Sequence, residues 1–172
     1  MKYLAVALLV PVLLLNACST THPTTTKKKT VSLPRSKNIS LANIKAEGNA
    51  REVVMYALGL LDVDYQFGGS NPEAGLDCSG MASFIYQNAL GIKLPHNAAE
   101  IAKRTREIRV EQLRAGDFVF FNSMNRSYSH MGIYLGDGKF IHAPRTNSTI
   151  RVERLDNQYF SARFDGARTL FD

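Results

Sequence analysis

Apolar positions along the chain fall into three sets with different spacing. The first is an unbroken run, Leu4 to Leu15, preceded by Lys2. Twelve residues are too few to span a bilayer comfortably, so residues 1–17 have the layout of a secretory signal. The second set has helical spacing. Val53, Val54, Ala57, Leu58 and Leu61 share one stripe, and Asn49 with Glu52 supplies a capping box, which predicts a helix from Asn49 to near Asp62. Met81, Ala82, Ile85 and Ala89 mark a second helix, starting at or just after Cys78 and stopped by Gly91. Between them "FGGSNPEAG" is a loop by its glycine and proline content. "LPHNAAEIAKRTREI" reads as a turn and a third, more polar helix from about Asn97.

The third set begins at Asp117 and reads as strands. "FVFF" is a short apolar run, and "HMGIYLG" and "KFIHA" alternate around Gly136-Asp137-Gly138, a hairpin signal. "TIRVERL" alternates imperfectly, and "ARTLF" is a candidate to close the sheet. Helices first and antiparallel strands after predict an α+β domain. The hairpin register decides whether two histidines meet. A two-residue Asp137-Gly138 turn sets His142 opposite Ile133, on the wrong face. A three-residue loop sets it opposite Gly132, with His130 as its diagonal neighbour. The second choice also turns Met131, Ile133, Leu135 and Ile141 together to the other face, so a three-residue loop with Gly138 in the left-handed region is predicted.

Charge separates the chain into two parts. The formal net charge is +6, yet Met1 to Asn49 hold seven Lys/Arg and one Glu, while fourteen basic and fourteen acidic residues follow from Ala50 onward. A nucleic-acid partner needs a basic domain face, and the domain is neutral by count. Residues 18–49 are rich in Thr, Ser, Lys and Pro and read as a flexible tether. As a coil, Ser19–Asn49 would span roughly 30 Å, or about 100 Å if pulled straight. Its first residue is Cys18, and "LNAC" resembles the lipobox of bacterial lipoproteins. That resemblance implies acylation of Cys18, with more than one chain and so stable anchoring. Ser19, rather than Asp, resembles outer-membrane sorting, so the periplasmic face of the outer membrane is the expected location. The remaining 123 residues, 50–172, suffice for one core without disulfides.

The candidate chemistry centres on Cys78, in "GLDCSG". A free cysteine is most often a buried structural residue. Here Asp77 is of helix-capping type, and backbone N–H groups at a helix start favour the thiolate. Gly80 clears the first turn for a close approach. A thiolate nucleophile also needs a base that later protonates the leaving group, and His130 with His142 can supply it, the second orienting the first. Metal binding is the competing use of one Cys and two His, but no tight ligand pair such as CxxC or HExxH is present.

"DCSG" followed by "SHMGIYLGDGKFIHA" resembles the NlpC family of cell-wall cysteine endopeptidases, and "YQFGG" and "LRAGDFVFF" resemble further segments of that family. The resemblance implies a papain-like core with N-terminal helices packed on an antiparallel sheet. It implies Cys78 as nucleophile, His130 as base and then acid, His142 as orienting residue and Tyr65 as a helper at the oxyanion. Asp77 and Ser79 are placed as substrate contacts. The family often has Arg-Ser/Thr after "LP"; here His96, Asn97 and Ile101 fill positions that border its cleft. The implied activity is hydrolysis of peptidoglycan amide bonds involving diaminopimelate, either D-glutamyl–diaminopimelate or the D-alanyl–diaminopimelate cross-link, by a thioester acyl-enzyme. The enzyme is expected to be a monomer without a cofactor or metal. An acyltransferase or amidase on the same core, and a non-catalytic wall-binding lipoprotein, are the rival readings.

Overall fold

The computed structural model describes residues 44–172; the signal run, Cys18 and the tether up to residue 43 lie outside them. Helix α1 (Gly48–Gly59) is followed by a small hairpin, β1 (Ser70–Asn71) and β2 (Gly75–Leu76). Helix α2 (Cys78–Leu90) and the short α3 (Ala98–Lys103) come next, then strand β3 (Arg106–Ile108). Strands β4 (Phe118–Phe121), β5 (His130–Gly136), β6 (Lys139–His142) and β7 (Arg151–Arg154) form a meander. A one-turn helix, α4 (Gln158–Ser161), precedes β8 (Phe164–Thr169). The result is the expected α+β arrangement, with one antiparallel sheet ordered β3-β8-β4-β5-β6-β7.

Alternation along the strands gives the sheet two faces. Phe118, Phe120, Met131, Ile133, Leu135, Ile141 and Val152 share a buried cluster with Val53, Val54 and Ala57 of α1 and Met81, Ala82, Ile85 and Tyr86 of α2. The apolar stripes predicted for the two helices are therefore what anchors them to the sheet. Val119, Phe121 and Phe140 face the other way and are covered by Phe160 of α4. Burying large aromatic side chains on both faces contributes about 2–3 kcal/mol each before entropy is counted.

Several sequence expectations need correction. Helix α1 is capped by Glu47 with no side-chain bond, so Asn49 is inside the helix and its capping box does not form. Ile44 and Ala46 already pack on the core, which moves the start of the folded part ahead of residue 50. The segment "REI", expected within the third helix, is β3; its strand state comes from pairing with β8, a partner distant in sequence. The final strand lies between β3 and β4 rather than closing an edge.

The hairpin also differs from expectation, in a way that leaves its consequence intact. Gly136 pairs with Lys139, so the turn has two residues, Asp137 and Gly138, at φ +52° and +69°. That turn alone would have put His142 on the wrong face. A bulge between Tyr134 and Gly136 absorbs Leu135, after which Tyr134 pairs with Phe140 and Ile133 with Ile141. The next step brings Gly132 beside His142, the predicted neighbours. Leu135 stays fully buried, and Gly136 takes φ +99°. A Gly136→Ala substitution would force a side chain into that left-handed backbone at a cost of about 1–2 kcal/mol. We expect a correspondingly lower urea midpoint; an unchanged midpoint would show that the bulge does not depend on this glycine.

Candidate active site

Cys78 is the first residue of α2, as the sequence predicted, and Asp77 is its N-cap. Asp77 Oδ1 accepts from the Gly80 N–H at 2.7 Å and from Ser79 Oγ at 2.9 Å, and Asp77 Oδ2 accepts from the Gly68 N–H at 3.0 Å. The carboxylate thus ties helix α2 to the loop before the β1–β2 hairpin. Backbone N–H groups of Met131, Ser79 and Cys78 favour the charged sulfur, though less than burial opposes it.

His130 starts β5 and His142 ends β6, and both are buried. His130 Nε2 lies 2.7 Å from His142 Nδ1, so the two rings share one proton. For His130 to act as a base through Nδ1, its Nε2 must carry the proton and donate it to His142. The other proton of His142 then sits on Nε2, a buried atom with no hydrogen-bond partner among the described residues. Rings of Phe140 and Phe160 stand 5.1 and 5.2 Å from His142 and hold it in place.

Cys78, His130 and His142 line one open cleft of about 1050 Å³, together with Tyr65, Asp77, Ser79, His96 and Asn97. Tyr65 is partly buried, and its hydroxyl is kept protonated by burial and by the nearby Cys78 and Asp77, so it remains a donor. The Ser79 hydroxyl already donates to Asp77, so both of these predicted substrate contacts have structural partners inside the domain. Arg126, Arg145 and Arg151 face the same cleft as Glu100 and Glu153, a lining of mixed charge. Of the three positions that depart from the family pattern, His96 and Asn97 border the cleft, but Ile101 does not: it is fully buried in the core.

The resting protonation state corrects the expected thiolate. Burial, with the charge of Asp77 next in size, pushes the Cys78 thiol up to about 11, and the N–H groups around the sulfur offset this only in part. Burial pushes His130 down to about 4 and His142 well below its ordinary range. Near neutral pH the resting cleft therefore holds a neutral thiol and neutral imidazoles. A measurable consequence concerns stability. The unfolded chain takes up a proton below about pH 6.5 that the folded His130 refuses until about pH 4, and the folded His142 resists protonation in the same direction. Stability is therefore complete above the unfolded value and falls with pH below it, by about 3 kcal/mol for His130 alone. Urea midpoints should drop between about pH 7 and pH 4.5 in wild type, and less in a variant lacking one of the histidines. Equal drops would place the acid sensitivity elsewhere.

Sequence reasoning missed the contact of His96 with Asp77, at 2.9 Å. The two residues lie 19 positions apart, and no local pattern joins them. The approach expected over Gly80 is also internal: a Cβ there would collide with the Gly69 carbonyl oxygen and sit 3.0 Å from His96 Nε2.

Comparison with known proteins agrees with this geometry. Residues 62–169 match the NlpC/P60 family, a span that contains Tyr65, Cys78, His130 and His142. The chain is 40% identical over 126 residues to the probable endopeptidase YafL of Escherichia coli (strain K12), covering 71% of this chain and 51% of that protein. It is 37% identical over 107 residues to murein DD-endopeptidase MepH of the same organism, covering 60% of this chain and 40% of that one. The chain thus spans about half the length, or less, of these relatives. The crystal structure of the NlpC/p60 domain of peptidoglycan hydrolase SagA superposes with a TM-score of 0.63 at 30% identity, covering 72% of this chain and 100% of that domain. With its papain-like α+β core and the Cys78–His130–His142 set inside the matched span, this chain belongs to the NlpC/P60 family.

Proposed function

We propose that the chain is a peptidoglycan endopeptidase that cleaves amide bonds involving diaminopimelate through a thioester on Cys78. The observation that carries this reading is one cleft holding a helix-start cysteine and a hydrogen-bonded histidine pair within an NlpC/P60 domain. The mixed Arg and Glu lining suits a substrate whose diaminopimelate carries both an ammonium and a carboxylate.

In the first step Cys78 Sγ attacks the scissile carbonyl carbon while its proton passes to His130 Nδ1. The oxyanion that forms is met by the Cys78 N–H and the Tyr65 hydroxyl. The C–N bond breaks as His130 gives that proton to the leaving amine, and the thioester remains. A water molecule then loses a proton to His130 and attacks, the C–S bond breaks, and the proton returns to the sulfur. His142 accepts the His130 Nε2–H throughout and steadies the imidazolium formed in each half. Acylated Cys18 and the tether of residues 18–49 would hold the domain beside the wall, on the periplasmic face of the outer membrane.

Digestion of purified peptidoglycan with wild type and Cys78→Ala, with product masses compared, tests the reading. Products present only with wild type would identify the D-alanyl cross-link or the D-glutamyl stem bond. An unaltered polymer in both digests, across several wall types, would favour a binding module instead.

A further inference from the structure

His96 stands outside the Cys–His–His set, yet its ring reaches the group that starts the catalytic helix. Its Nε2 lies 2.9 Å from Asp77 Oδ1, the oxygen that also accepts from Gly80 N–H and Ser79 Oγ. The ring comes this close because residue 80 has no side chain. Of the four donors around the Asp77 carboxylate among the described residues, Gly68 N–H, Gly80 N–H, Ser79 Oγ and His96, only His96 can carry a positive charge. Asp77 in turn sits directly before the nucleophile, and after burial its charge is the main cause that disfavours the thiolate.

We propose that His96 is a positioning residue for the nucleophile: it fixes the Asp77 carboxylate over the first turn of α2 and, when protonated, cancels the charge that Asp77 sets beside Cys78. This rests on the reading of Cys78 as the nucleophile. The cleft also holds the titratable Tyr65, Cys78, His130, His142, Glu100 and Glu153. Glu100 is already paired with Lys103 at 2.8 Å, so it competes little for His96.

The test needs no substrate. Alkylation by iodoacetamide is followed on the full chain, read at the peptide containing Cys78, for His96→Arg and His96→Gln. Both variants keep a hydrogen-bond donor above the first turn, but only arginine carries a fixed charge. Near neutral pH the arginine variant should react about three- to tenfold faster, as expected for one charge at this range in a partly screened site. In an Asp77→Asn background, which keeps the cap acceptor, that ratio should collapse toward one. Rates equal within about twofold for the two variants, or a ratio that persists in Asp77→Asn, would overturn the proposal. A failure to cleave peptidoglycan would leave this result unaffected, so the two readings fail separately.

Discussion

Cys78→Ala should reduce the release of peptide fragments from purified peptidoglycan to background, a loss of at least about four orders of magnitude in kcat. The size of the effect follows from the site's construction. In the proposed mechanism the sulfur is the atom that forms the covalent bond, and neither histidine could replace it without leaving the sheet. The same substitution should hardly disturb the fold. The neutral thiol is half-buried, it accepts only backbone N–H contacts, and Asp77 rather than Cys78 caps α2. Urea unfolding of the variant should therefore stay within about 1 kcal/mol of wild type. Activity within tenfold of wild type would place the nucleophile elsewhere.

His142→Phe should lower kcat by roughly three orders of magnitude with little change in KM. A phenyl ring keeps an aromatic group against Phe140 and Phe160, whose rings stand 5.1 and 5.2 Å from the imidazole. It offers no acceptor to His130 Nε2–H, however, and the base loses both its tautomer and its orientation. His142→Asn, which returns a carbonyl oxygen, should recover about tenfold or more of that loss. A phenylalanine variant with normal kcat would reduce His142 to a packing residue. A loss that asparagine does not relieve would mean that only an imidazole can fill the place.

The candidate set was legible in the sequence because each member sits at an element boundary with its own local signal. Asp77 before an apolar helical stripe announces a cap, and Cys78 follows it. His130 and His142 lie on strands whose alternation separates one face from the other. Their meeting is expected through a three-residue loop, and the structure reaches the same neighbours through a two-residue turn and a bulge. Apolar pattern alone could not distinguish a three-residue loop from a two-residue turn with Leu135 bulged out, because both bury Leu135 and both set His142 near Gly132. Strand β3 was read as helix because "REI" carries no pattern of its own and is ordered by pairing with β8. The β1–β2 hairpin and α4 are too short to show a period. The bond between His96 and Asp77 exists only in three dimensions, where two loops meet over Gly80.

Capture of the acyl-enzyme tests the central claim most directly. Wild type is given a soluble cross-linked stem-peptide dimer in the presence of increasing hydroxylamine, and the acyl product is analysed by mass. If a thioester on Cys78 is formed and then shared between water and the added nucleophile, a hydroxamate of the acyl fragment should appear and grow with hydroxylamine concentration. Release of the leaving amine should not slow. Formation of the free carboxylic acid alone, at every hydroxylamine concentration and with the same substrate turning over, would contradict the account.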